Sequence, residues 1–439
     1  MEAGVGKSTN QRRRGAFRLL LDPNFGSFFW GKLATASAVY LHSVVAAIVT
    51  FEATGSALAV ALVTVAQFAP QLLLAPLAGS RADKGNLIRQ IIIGRLVCAI
   101  GSAALAGVLL SPMEPTGWSF AWVVIATSVV TGLGLVTGGP AMQAVTPHLV
   151  RPVELPTAMT LNTAPMTMGR VIGPASGALM VHFSDPAWAF VAATTGHLLF
   201  VAILPFIKIP RACEPRPSPR NSSMRAALRV VARDRPLMLL LLAVATLGFA
   251  CEPFTTLAPI LADRLGGGSS SVGAMTAGFG AGAVVGVIAS SWMGPRLPHE
   301  RVCSGGIASM TIGLGACAAA PNVGAAVAAN AVAGFGLIVG SAAASTMIQV
   351  RIRDDMRGRV MALWLMGFVG SRPIAALVTG SIADLTSPQL SLSIVSLCAL
   401  IIGIVCRPSK LRDNHRRTQC GGRDRPRHRE EGTIHESAF

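Results

Sequence analysis

The chain has 439 residues, of which 52 % are hydrophobic and only 13 % charged, with a mean hydropathy of +0.57. A soluble domain carries about 25 % charged residues, so composition excludes an ordinary soluble protein and points to a membrane. The net charge of +17 does not point to nucleic acid, because the basic residues sit in short loops and tails between apolar runs.

Residues 1–26 read as a cytoplasmic tail. Arg12, Arg13, Arg14 and Arg18 precede a long apolar run that lacks a small-residue cleavage site, so no signal peptide is expected. Gly4-Val5-Gly6-Lys7-Ser8-Thr9 looks like the end of a phosphate loop. That pattern needs a glycine where Met1 stands and a strand before it, so it is rejected.

Twelve apolar segments follow, each read as a membrane helix. They are 27–50, 58–79, 88–110, 119–140, 158–181, 187–207, 236–261, 272–293, 302–320, 325–349, 360–383 and 390–406. Of the 37 basic residues, 32 lie in the two tails and the even-to-odd loops, counting Arg89 at the edge of the third segment with its loop, and one, Arg264, lies in the odd-to-even loops. The other four, Lys32, Arg95, Arg170 and Arg372, lie within segments. That asymmetry places both termini in the cytoplasm and supports the helix count.

Residues 208–235 form a Pro- and Arg-rich cytoplasmic linker, amphipathic near Met224–Arg233, that divides the chain in two. The expected fold is an all-α membrane protein. Twelve transmembrane helices form two pseudo-symmetric six-helix bundles, 27–207 and 236–406, and a basic tail, 407–439, is expected to be disordered. The eight cysteines form no C-x-x-C pair, and most lie inside apolar runs. No disulfide framework, metal site or cofactor is expected.

Two stretches share one layout. Val360 to Arg372 and Ala158 to Arg170 span the same distance, and each places an arginine in mid-segment. A charge at that depth is a functional-site hypothesis, and internal repeats with polar groups near the midplane build many secondary transporters. Glu252 is the only acidic residue well inside a predicted helix, and the repeat alignment sets it opposite Val39. Glu252 and Arg372 are expected at similar depth, close enough to pair. Arginine stays protonated, so Glu252 would be the member that changes state. Arg170 would be left without an acid and free to face an anionic substrate group or backbone carbonyls.

Several motifs resemble the major facilitator superfamily, and within it the bacterial drug- and siderophore-exporter branch. They are Pro23-Asn24-Phe25, Thr54-Gly55-Ser56-Ala57-Leu58, Ala75-Pro76-Leu77-Ala78-Gly79 with Ala82-Asp83, Gly169-Arg170-Val171-Ile172-Gly173-Pro174 and Arg357-Gly358-Arg359-Val360-Met361. Three departures stand out. The basic run after Asp83 is thinned to Lys84 and Arg89, the helix 5 pattern ends Gly177-Ala178, and Val39 replaces the aspartate often found in helix 1.

The resemblance implies proton-coupled export of a hydrophobic or amphiphilic small molecule through the bacterial inner membrane. Its partners are then the small molecule, protons and the lipid bilayer; a monomer is favoured, although the sequence is silent on oligomeric state. A siderophore or secondary-metabolite exporter tied to one pathway is the alternative within transport. A membrane-embedded enzyme or a non-transporting receptor is the alternative of another class; no catalytic cluster supports the enzyme.

By resemblance, Asp83 meets the start of helix 11 near Arg357 and Arg359 as a gating latch. Gly169, Gly173, Pro174 and Gly177 then make a tight interface with helix 8, although ordinary small-residue packing explains them equally. His42 is the third proton-coupling candidate, because it is mid-helix and titrates near neutral pH. Gln67, Gln71 and Asn162 are candidates to line a substrate cavity, or are interhelical hydrogen bonds.

Overall fold

The computed structural model describes residues 16–82, 86–112, 116–207, 224–294, 296–352 and 354–411. Secondary structure among them is wholly helical. The long helices are α1 (Phe25–Thr54), α2 (Ala57–Ala82), α3 (Leu87–Leu109), α4 (Gly117–Val145), α5 (Leu155–Phe183) and α6 (Pro186–Ile203), then α7 (Arg235–Ala250), α8 (Gly268–Met293), α9 (His299–Ala318), α10 (Val323–Arg351), α11 (Asp354–Leu385) and α12 (Pro388–Val405). Among the described residues ten spans, all except α5 and α9, are long and apolar enough to cross a membrane.

Local chemistry sets the helix ends. Asn86, Asp185, Asp234, Asn322 and Ser387 each accept a hydrogen bond from a backbone N–H of the first turn that follows. Such caps satisfy donors that the helix itself leaves open. Gly55 ends α1 at φ +64°, and its N–H donates to Phe51 O. That left-handed turn suits glycine and lets α2 start two residues later.

Two segments differ from their expected form. The seventh is broken: α7 stops at Ala250, and short helices Pro253–Thr256 and Ala258–Arg264 follow. Pro253 and Pro259 have no N–H to continue the ladder. The eleventh begins earlier than its apolar run, so Arg357 and Arg359 lie inside α11 rather than in the loop before it.

Packing partners fall into two groups. In the first half α1 packs on α5 and α6, α3 on α4 and α6, and α2 on α4. In the second, α8 and α9 pack on α10, α12 on α9, and α11 on α7 and α12. The largest apolar core draws on residues from Val231 to Leu411, joined by Val44, Ile48 and Ala57, whereas two smaller cores lie wholly within the first half.

The halves meet along two seams, α2 against α11 and α5 against α8. Both seams are tight at the end where α1 passes into α2. A Cβ on Gly380 of α11 would press on Ala57 and Ala61, and one on Gly273 of α8 would collide with Ala178 of α5.

Candidate functional site at the seam between the halves

The break after α7 positions the first functional side chain. Glu252 occupies the turn between Ala250 and Pro253, where its carbonyl oxygen accepts the N–H groups of Thr255 and Thr256 at 2.9 and 3.1 Å. Its carboxylate is fully buried. A lone buried carboxylate is costly and needs a partner.

Arg372, about midway along α11, supplies that partner. Its Nε donates to Glu252 Oε2 at 2.6 Å, and Thr256 Oγ1 donates to Glu252 Oε1 at 3.2 Å. The two side chains are 10 % and 0 % exposed. The guanidinium also lies over the ring of Phe68 on α2, 4.1 Å from its centroid. Arg372 therefore touches both halves at once: an ion pair within its own half, a cation–π contact across the seam.

Arg170 on α5 is differently placed. Its Nε donates to the hydroxyl of Tyr40 on α1 at 2.8 Å, with the guanidinium 5.5 Å from that ring. Tyr40 is the chain's single tyrosine. Among the described residues no carboxylate pairs with Arg170, and its terminal N–H groups have no hydrogen-bond partner. The side chain is half-buried.

Two more cations are buried in the first half. Lys32 Nζ donates to Asn162 O at 2.9 Å and Asn162 Oδ1 at 2.6 Å. Arg95 Nη1 donates to Thr35 Oγ1 at 3.2 Å, and Thr35 Oγ1 also bonds His197 Nδ1 at 2.6 Å. Among the described residues, neither has a carboxylate partner.

The remaining expected residues lie elsewhere. Asn162 is fully engaged, accepting also from Thr146 Oγ1 and donating to Gln143 Oε1 at 2.7 Å. His42 is buried in the packing of α1 on α3 and α6, with Nδ1 3.0 Å from Ser102 Oγ and its ring edge-on to Phe190. Gln67 Oε1 accepts from Ser43 Oγ at 2.7 Å. Gln71 is half-buried on the next turn of α2.

Arg359 Nη1 lies 2.9 Å from Met356 Sδ, one turn away on α11. Asp83 and the side chain of Arg357 lie outside the described residues.

The helix 5 glycines correct one expectation. Gly169 and Gly173 face α1, where a Cβ would meet Ala36, Ser37 and Tyr40, and Gly177 faces Val45. The contact of α5 with α8 is made by the neighbouring face of α5, at Arg170, Val171, Pro174 and Ala178, against Gly280 and Gly273, so Pro174 alone of the four lies at the expected interface. Gly278, Gly282 and Gly286 of α8 instead face α10.

A charged pair at a helix break, between two packed halves of one chain, is the geometry of a carrier rather than of a catalyst. The sequence matches the family model described as a transmembrane secretion effector over residues 15–427. The chain belongs to this family of the major facilitator superfamily.

Curated relatives agree. The enterobactin exporter EntS of Escherichia coli O1:K1 / APEC is 27 % identical over 336 residues, covering 74 % of this chain and 77 % of the exporter. EntS of Salmonella choleraesuis is 25 % identical over 330 residues, covering 74 % and 78 %.

Solved structures share the fold. A bacterial homologue of the lysosomal transporter Spinster, inward-facing and unoccupied, aligns with TM-score 0.65 at 15 % identity, over 90 % of this chain and 96 % of its own. A D-xylose–proton symporter aligns with TM-score 0.63 at 13 % identity, over 88 % and 97 %. The protein is thus a multi-pass transporter of the bacterial inner membrane, related to exporters.

Proposed function

We propose that the transporter exports a hydrophobic or amphiphilic small molecule in exchange for protons, by alternating access. The observation that carries this reading is the buried Glu252–Arg372 pair, held at a helix break beside the seam. Protonation of Glu252 releases Arg372 from its ion pair and weakens the tie between α11 and the end of α7. Loss of the proton restores the pair. The guanidinium rests on Phe68 of the other half, so a change in its pairing is felt across the seam.

The proposed architecture has twelve spans in two six-helix bundles, 27–207 and 236–406, with linker 208–235 and both termini in the cytoplasm. The charge asymmetry of the loops supports that orientation. The close contacts at Gly380 and Gly273 then lie on the outward side. Asp83, with Arg357 and Arg359, is proposed as the latch of the cytoplasmic face. An impermeant thiol reagent applied to intact cells should leave Cys213 and Cys420 unmodified, and labelling of either would overturn the orientation.

A second reading narrows the cargo to a siderophore or related secondary metabolite. The similarity to enterobactin exporters favours it, as does Arg170, a half-buried cation free to meet an anionic group. The test of transport is uptake into everted vesicles. Purified protein is first screened by thermal shift against metabolites and drugs, and the hits are then assayed. Uptake driven by an acid interior and abolished by an uncoupler supports the proposal; uptake indifferent to the gradient contradicts it.

A further inference from the structure

One acidic side chain outside the central site joins the two halves directly. Asp384, in the last turn of α11, reaches across to the first turn of α2. Its Oδ1 accepts the N–H of Ala57 at 2.6 Å, and its Oδ2 accepts the N–H of Leu58 at 3.0 Å and the hydroxyl of Ser56 at 2.5 Å. Ser56 Oγ in turn accepts the N–H of Ala59 at 3.1 Å.

The first N–H groups of a helix have no partner of their own and carry partial positive charge. An ionised carboxylate that takes two of them makes charge-assisted hydrogen bonds. Here the helix and its cap belong to opposite halves, so the cap holds the halves together. Backbone fit supports it: Gly55 gives the sharp turn that exposes these amides, and Gly380 lets α11 lie directly against Ala57 and Ala61.

The sequence repeats the pentapeptide that carries this carboxylate. α11 ends in Gly380-Ser381-Ile382-Ala383-Asp384, and α2 runs into Gly79-Ser80-Arg81-Ala82-Asp83, so both carry G-S-x-A-D. The two helices run antiparallel, because Ala57 and Ala61 meet Gly380 while Leu72 meets Gly370. The end of α2 and the end of α11 therefore fall at opposite ends of one seam. The other seam, α5 on α8, has the small-residue contact of Ala178 with Gly273 at its corresponding end.

We propose that Asp384 is the latch of the face remote from the termini: it locks that face shut by capping α2 and must let go for the face to open. The inference rests on the alternating-access reading but not on proton coupling or on the identity of the cargo. It assigns the closed state a dedicated, polar, breakable contact at one seam.

The test is the distance between spin labels at Leu110 and Pro321, which lie at this end in opposite halves, measured in the full chain in a cysteine-free background. Wild type should give one predominantly short distance. Asp384→Asn keeps the size but removes the charge and one acceptor, and should raise the long-distance, open population about five- to tenfold. Ser56→Ala removes one hydrogen bond and should raise it about twofold. Thermal unfolding of each variant confirms that it is folded. If Asp384→Asn does not fold, Ser56→Ala alone decides. A distance distribution identical to wild type in the folded variants overturns the latch. A wild type that fails to take up cargo on a pH gradient, alongside an opened face in the variants, would instead overturn the coupling reading and leave the latch supported.

Discussion

The two central arginines make the instructive comparison. Arg170 and Arg372 stand at matching places in a repeat, each in the middle of a helix that packs beside the first helix of its own half. Arg372 is neutralised by Glu252 at 2.6 Å and nearly closed to solvent, whereas Arg170 has a phenol at 2.8 Å and remains half-buried. The repeat has kept the cation and changed its partner. A carboxylate carries a charge that a proton can neutralise, whereas a phenol is a neutral partner. On this reading the second half holds the switch, and the first half presents a fixed positive charge to the cargo.

The largest effect should come from stranding a charge. Arg372→Ala leaves Glu252 buried without its partner, and breaking a buried pair costs about 3–5 kcal/mol. Thermal unfolding in detergent should show a loss of that order, and the double variant Arg372→Met/Glu252→Met should recover most of it. If the single variant is as stable as the double, the pair is not coupled.

Next in size is the unpaired arginine. Arg170→Gln should leave thermal stability close to wild type, because no acid is stranded, yet weaken transport of an anionic cargo about tenfold, equivalent to ~1.4 kcal/mol. The defect should appear in KM. Tyr40→Phe removes one neutral partner of that arginine and should cost less, about two- to fivefold, in line with a net hydrogen bond of about 0.5–1.5 kcal/mol. An Arg170→Gln variant that unfolds would assign that side chain to structure instead.

The smallest effect sharpens the contrast. Lys32 is a buried cation held only by neutral groups of Asn162. Replacing it with methionine, similar in length and apolar, strands no opposite charge. Lys32→Met should change stability by no more than about 1 kcal/mol in either direction. A loss as large as that of Arg372→Ala would mean that the first half also depends on a buried charge pair.

How much of this was legible in the sequence follows from what each feature depends on. The helices were legible because a bilayer demands long apolar runs. The Glu252–Arg372 contact was legible because a charge at middle depth needs a partner and the chain offers only one acid there. Phe68 and Tyr40 were not singled out: an aromatic inside an apolar run gives no local sign of whether it meets lipid, core or a guanidinium. The break after α7 was missed because Pro253 and Pro259 sit in a run whose hydropathy does not change.

Asp384 lies at a helix end, where a carboxylate is ordinarily solvated. Only the approach of a helix some 326 residues away makes it a cap. The glycines of α5 were placed on the wrong neighbour for the same reason: small residues announce close packing but not the direction of the partner. Asp83 and the side chain of Arg357 lie outside the described residues.

The measurement that bears most directly on the central claim is transport by Glu252→Gln under two driving forces. The variant keeps the shape of the side chain and a hydrogen-bond acceptor for Arg372 but cannot exchange a proton. In everted vesicles it should lose uptake driven by a pH gradient and retain counterflow, in which labelled cargo exchanges for unlabelled cargo with no net proton movement. Gradient-driven uptake at the wild-type rate in Glu252→Gln would contradict the account and move the proton site elsewhere, with His42 the next residue to test.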